Sequence, residues 1–185
     1  MTARFDSACD QNPETSGLAC LVDDLALACL GGGLPAEAEQ ELSLAGQYFS
    51  EYDVALGHLQ KAWEIAPDHA AVYIGLYRFY FYTHRLREAL DVAERCLAKA
   101  ARDNGFKGDW RSVQRGDADF VRFDALLPRF FLFTLKGYAY LNLRLGQLDA
   151  GREAMEKLLE LDPANRMGGQ VLREVLERMG CDDED

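Results

Sequence analysis

Residues 70–101 read AAVYIGLYRFYFYTHRLREALDVAERCLAKAA, and this stretch decides the fold. Its first half sets Tyr73, Leu76, Tyr77 and Tyr80 at i, i+3, i+4 and i+7, one face of a 3.6-residue helix. Its second half does the same with Leu86, Ala89, Leu90, Ala93 and Leu97, so two helices are predicted, joined at residues 83–85. A helix pair this apolar cannot bury its own faces and must stack on neighbours.

The neighbours recur at a fixed distance. Thirty-four residues before Leu76, Leu86, Ala89 and Cys96 stand Leu42, Tyr52, Ala55 and Ala62, each apolar and in helical phase. A third copy lies downstream, where Leu148, Met155, Leu158 and Pro163 repeat Tyr52, Leu59, Ala62 and Pro67. The period is that of the tetratricopeptide repeat (TPR), and from about residue 36 to 163 the chain resembles that family. The second copy meets the family pattern best, with Tyr73, Leu76, Tyr80 and Ala89. The first keeps Leu42, Ala55 and Pro67 but has Glu39 and Gly46 where aromatics are usual, and the third has Leu135, Tyr138, Ala139, Gly151 and Pro163.

The resemblance implies an all-α fold: a right-handed α-α superhelix of three hairpins at 36–69, 70–103 and 132–165. An insertion at about 104–131 precedes the third. Residues 1–17 read as a flexible tail, 18–180 as a single domain and 181–185 as an acidic tail. Leu18, Leu21, Val22, Leu25 and Cys29 make one apolar stripe, so residues 18–29 are expected to form a helix. That helix would either cap the first repeat or mediate a homodimer. The insertion carries Gly105, Gly108, Gly116, Phe106, Trp110, Phe120 and Phe123, and its DADFVRFDALL segment is expected to make a short helix. It is either an ornament that shields an edge or a lid across a binding face.

Helix boundaries follow from breakers. The first hairpin is expected over 35–49 and 52–66, with Pro67 ending it and Asp68 capping the next helix. Pro128 fits the opening turn of the helix that ends before Gly146. Asp162 and Pro163 are expected to start a last helix striped by Val171, Leu172, Val175, Leu176 and Met179 on one side and wet on the other, as a terminal cap requires.

Composition narrows the function. Twenty basic against 31 acidic residues leave a net charge of -11, which argues against nucleic acid and against an anionic membrane surface. Five cysteines without close spacing point to reduced thiols and a cytoplasmic setting, and residues 1–17 hold no apolar run that would make a leader. No CxxC, HxxxH or HExxH spacing marks a metal site, no serine sits in a G-x-S-x-G elbow, and residues 31–33 lack the Gly-Lys-Ser/Thr of a phosphate loop. No enzyme, metal or cofactor is expected, and Cys96 reads as a core thiol.

What remains is a surface. The resemblance implies that the first helix of each pair lines a concave side, through Gln40, Leu44, Gln47 and Tyr48, then Ile74, Arg78, Phe81 and Tyr82, then Lys136, Tyr140, Leu143 and Arg144. Tyr48, Ile74, Arg78, Phe81, Tyr82, Lys136, Tyr140 and Arg144 are the candidate contacts. Arg78, Lys136 and Arg144 bring positive charge to that face of an acidic protein, which suits a peptide or helix with apolar anchors and an acidic group. Aromatics on both sides of the second repeat's first helix mean that it is buried all round or that one face awaits a ligand. The lysine and asparagine clamp of chaperone-binding relatives is absent, with Gln40, Leu44, Gly75, Phe133 and Gly137 in its place. The leading expectation is a protein-binding scaffold; a secretion-type chaperone and a self-assembling module are the alternatives.

Overall fold

The computed structural model describes residues 33–122 and 124–181. Among these it is all helical, with no strand: α1 Ala36–Gln47, α2 Tyr52–Ile65, α3 Ala70–Tyr82, α4 Leu86–Asp103, α5 Leu126–Arg144, α6 Leu148–Leu161 and α7 Gln170–Cys181, plus a 3-10 turn at Trp110–Ser112. α1 pairs with α2, α3 with α4 and α5 with α6, and each hairpin packs on the next. This is the stacked α-α arrangement that the 34-residue spacing implies. The expected helix at 18–29, with its dimer reading, and the tail at 1–17 lie outside the described residues, as does the acidic end after Cys181.

Small residues set the packing distance inside the hairpins. Ala55, Ala62, Ala89 and Ala93 are buried where paired helices cross. Gly151 is the extreme case, because a β-carbon there would sit 2.6 Å from Cδ2 of Leu143 and 3.0 Å from its backbone nitrogen. The faces so joined hold Leu59, Leu76, Phe79, Leu90, Leu97, Phe131, Leu135 and Leu158 out of water. Each such side chain contributes about 1.5–3 kcal/mol relative to exposure.

The ends of α3, α4 and α5 share one geometry. His84, Gly105 and Gly146 take left-handed φ of 59°, 71° and 75°. The amide of the following residue then reaches back five positions: Arg85 N to Tyr80 O at 2.8 Å, Phe106 N to Ala101 O at 3.0 Å and Gln147 N to Asn142 O at 2.9 Å. These bonds satisfy carbonyls that the helix would leave orphaned. Glycine performs the turn twice; His84 performs it against the usual steric preference of a side-chain-bearing residue.

Three local expectations are corrected. Asp68 does not cap α3: it sits at φ 63° and accepts from the Tyr73 hydroxyl at 2.8 Å and from Arg102 Nη2 at 2.7 Å. His69 is the cap, its Nδ1 accepting from Ala71 N at 3.2 Å. The last helix does not start at Asp162. Residues 162–169 form a loop whose buried Asp162 accepts from Met167 N at 2.7 Å, and α7 begins at Gln170, whose amide donates to Asn165 Oδ1 at 3.0 Å. Nor does DADFVRFDALL make its own helix: the short turn is at Trp110–Ser112, and α5 starts at Leu126, before the expected end of the insertion.

The insertion lies over the edge of α4, α5 and α6. Trp110 packs against Tyr138 at 5.9 Å, and Phe106 and Phe120 reach Phe131 at 5.0 and 6.3 Å. Lys157 Nζ donates to the Val113 carbonyl at 3.2 Å, Arg115 to the Glu160 carbonyl, and Arg166 to the Val121 carbonyl. Phe106, Trp110 and Phe120 thus pack against the stack.

Candidate functional site

Two junctions connect the inner helices, α1 to α3 and α3 to α5, and they are built from equivalent positions with different side chains. At the second junction Tyr77 of α3 fills the space. Its hydroxyl oxygen lies 3.1 Å from where a β-carbon on Gly137 of α5 would be, and its ring stacks on Phe81 at 5.8 Å. Burial pushes the Tyr77 phenol above its ordinary value, so it stays protonated there. Phe81 in turn meets Tyr140 of α5 at 5.8 Å, closing the seam with a run of rings.

The first junction lacks these rings. Thirty-four residues before Tyr77 stands Ser43, and the positions of Tyr73 and Tyr80 are held by Glu39 and Gly46. At Gly75, the equivalent of Gly137, the neighbours are aliphatic: Leu42 Cδ2 of α1 and Leu59 Cδ2 of α2 lie 3.1 and 3.2 Å from where a β-carbon would be. An open groove of about 680 Å³ results. One wall is Glu39, Leu42, Ser43 and Gly46 of α1; the other is Ala71, Ile74, Gly75, Arg78 and Tyr82 of α3. Phe49 closes the far end, edge-on to Phe79 at 5.8 Å and to Tyr82 at 6.5 Å. The volume falls within the range of sites that take an anchoring side chain or a small ligand.

The eight candidate residues divide accordingly. Ile74, Arg78 and Tyr82 are brought together on the α3 wall. Tyr48 is 41% exposed and stacks on His58 of α2 at 5.9 Å, beside the His58 Nδ1 to Glu41 contact of 2.6 Å. Phe81 and Tyr140 hold α3 to α5. Arg144 is exposed at the end of α5. Lys136 is only 9% exposed and donates to the Met167 carbonyl at 2.6 Å, so its charge is turned into the α6–α7 loop. Burial lowers the affinity of Lys136 for its proton, with nearby Asp162 pulling the other way.

Sequence reasoning missed Leu42, Ser43, Gly46, Gly75 and Phe49. The α1 stripe is rotated by one residue, about 100° around the helix, from the expected Gln40, Leu44 and Gln47. A signal was present: the departures of Glu39 and Gly46 from the repeat pattern are where volume goes missing. The inner helix α3 is buried along Ala70–Ile74 and at Leu76 and Phe79, leaving its Arg78–Tyr82 end as the accessible part.

Two smaller depressions lie elsewhere. One of about 390 Å³ between α2 and α4 has Trp63, Tyr73 and Tyr80 under Glu64, Glu88 and Asp91. Another of about 430 Å³ lies where the insertion meets α4, over Leu97, Trp110 and Tyr138. Among the described residues no group of three or more His, Cys, Asp or Glu side chains could hold a metal ion, and no helix is long and apolar enough to cross a membrane. Cys96 is buried.

Comparison with known proteins gives two matches. Residues 49–107, spanning α2 to the end of α4, match the tetratricopeptide repeat. Over 119 residues, 64% of this chain and 67% of the relative, it is 38% identical to the "uncharacterized 19.8 kDa protein in nifW 5′ region" of Azotobacter chroococcum. No solved structure matches.

Proposed function

Because the chain belongs to the tetratricopeptide-repeat family, we propose that it is a non-enzymatic protein-binding scaffold whose partner seats in the groove between α1 and α3. The observation that carries this is the contrast between the two junctions: the rings of Tyr77, Phe81 and Tyr140 fill the seam of α3 and α5, whereas α1 meets α3 at Gly75 through Leu42 and leaves beside that contact an open groove rich in apolar side chains. A stable protein exposing such a pocket is most simply explained by an occupant.

The groove is preformed by packed helices, so binding would order little of the protein and lose little free energy to rearrangement. Ile74 and Tyr82 give the α3 wall of the groove apolar surface, and Arg78 stands on the same wall. Tyr48, Phe81, Lys136, Tyr140 and Arg144 would contribute by shaping the scaffold or its rim. The acidic surface elsewhere disfavours nucleic acid and anionic lipid as partners.

The test is capture from the native cell extract by the tagged chain. Wild type should retain a specific protein, while Ser43→Tyr, which restores the ring found at the second junction, should lose it with unchanged far-ultraviolet circular dichroism. Undiminished retention by Ser43→Tyr would move binding to another surface.

A further inference from the structure

We propose that the depression between α2 and α4 is a seat for an arginine on a loop of a partner protein, whose guanidinium lies against Trp63 and pairs with Asp91 while Arg95 takes a backbone carbonyl of the same loop. This goes beyond the groove reading and does not depend on it. The two sites lie on opposite stripes of α3, because Tyr73, Leu76 and Tyr80 stand about half a turn around the helix from Ile74, Arg78 and Tyr82.

The protein shows such a seat in use one repeat further on. The register that sets Gly137 on Gly75 sets Glu153 of α6 on Asp91 and Lys157 on Arg95, and the positions of Trp63 and Glu64 are held thirty-four residues later by Leu97 and Ala98. Leu97 and Ala98 border the depression beside the insertion, and there the insertion brings an arginine of its own. Arg111 Cζ lies 4.3 Å over the Trp110 ring, its Nε donates to Glu153 Oε1 at 2.9 Å, and Lys157 Nζ donates to the Val113 carbonyl at 3.2 Å. A ring, a carboxylate and a carbonyl-seeking cation together hold one short loop.

The depression between α2 and α4 has the same three parts. Leu97 provides no ring, so the insertion supplies Trp110; one repeat earlier α2 itself supplies Trp63, packed edge-to-face with Tyr73 at 5.1 Å. Asp91 stands where Glu153 stands, and Arg95, exposed, stands where Lys157 stands. An arginine and a carbonyl are what a partner loop would add.

Charge and shape favour arginine over lysine. Glu64, Glu88 and Asp91 outnumber Arg95 around the opening, so its field attracts a cation. A guanidinium is planar, stacks on an indole and still offers N–H donors in its plane to a carboxylate, whereas an ammonium is compact and more strongly hydrated. The Arg85 to Glu88 pair at 2.9 Å is exposed, so Glu88 loses little by sharing its carboxylate. The opening of about 390 Å³ is large enough for one side chain.

The experiment uses the full chain labelled with 5-fluorotryptophan, whose two fluorine signals report Trp63 and Trp110 separately and are assigned with Trp63→Phe. The probe is the ring-free peptide acetyl-Gly-Ser-Arg-Ser-Gly-amide, titrated at physiological ionic strength. The expected result is a saturable shift of the Trp63 signal with Trp110 unmoved, none from the citrulline version, and binding at least about threefold weaker for the lysine version. Asp91→Asn should weaken binding about fivefold. Arg95→Ala should weaken it as well, although it removes a positive charge from the rim. Ser43→Tyr, which fills the groove, should leave the titration unchanged, so failure here and failure of the groove reading are told apart.

Tighter binding by Arg95→Ala, or equal binding of the arginine and lysine peptides, would reduce the site to an acidic patch and overturn the seat. Arginine amide binding as tightly as the peptide would make the ligand a small molecule and overturn a partner loop. A Trp63 signal indifferent to the peptide would overturn the proposal outright.

Discussion

Gly151 and Gly46 are both helical glycines, yet their surroundings predict opposite responses to the same substitution. At Gly151 an added methyl meets Leu143 at 2.6 Å and that residue's backbone nitrogen at 3.0 Å, which cannot move aside without shifting α5. Gly151→Ala should therefore destabilise by about 1–3 kcal/mol, read as a drop in urea midpoint without a change in slope. At Gly46 nothing lies within 4 Å, and Gly46→Ala should gain about 0.5–1 kcal/mol from helix propensity. A fall in stability there would mean that α1 ends differently. Asp68 gives a pH test: burial pushes its carboxyl up, but hydrogen bonds from Tyr73 and Arg102 outweigh this and hold it below 3.8. A depressed carboxylate contributes stability that is present above the unfolded value and lost as pH falls through the folded one. The excess stability of wild type over Asp68→Asn should thus shrink below about pH 4, and it should be small throughout because the pair is exposed. These residues also show what a sequence can and cannot reveal. The small requirement at 151 was legible from the repeat. That Asp68 turns outward while His69 caps was not, because both side chains can cap and only the left-handed φ of 63° at Asp68 decides between them.

At the scale of elements, the loop after α6 is held by one buried cation. Lys136 reaches from α5 to the Met167 carbonyl, and Asp162 takes the Met167 amide from the other side. Burial disfavours the charged ammonium, so the folded state releases that proton at lower pH than the ordinary 10.5. Between the folded and unfolded values the unfolded chain holds more protons, and stability rises with pH. Wild type should gain on Lys136→Met as pH climbs toward 10.5; a constant gap in melting temperature would show that the ammonium is solvated. The insertion makes a second prediction. Trp110 is 8% exposed between α4 and Tyr138, so Trp110→Ala should cost about 3–5 kcal/mol while leaving groove binding intact in the remaining folded protein. The order and most ends of the helices from Ala36 to Leu161 followed from apolar spacing and from Gly105, Gly146 and Pro67. The insertion's path was illegible, since its aromatics said only that they needed burial. The start of α7 was missed for a related reason: the Asp162–Met167 loop is fixed by tertiary contacts to α5 that leave no periodic trace.

For the molecule as a whole, the repeat is the frame, and departures from it at Glu39, Ser43 and Gly46 shape the groove. Three copies in one register were enough to predict a stack of hairpins. The groove was only half legible: Ile74, Arg78 and Tyr82 line its α3 wall, whereas Phe81 and Tyr140 close the second junction and Lys136 anchors a loop. Periodicity tells which residues point inward, but not whether two inward faces touch or stand apart. That depends on side-chain volume at equivalent positions, and the comparison of Tyr77 with Ser43 supplies it. The central claim is that the first junction, unlike the second, receives another protein. Photocrosslinking in native extract tests it most directly, with benzoylphenylalanine replacing Tyr82 on the groove wall, a ring for a ring, or placed at Ala98 on the exposed side of α4. The expected result is a discrete adduct from position 82, lost when Ser43→Tyr is added, and none from position 98; equal adducts from both positions, or none from 82, would contradict it.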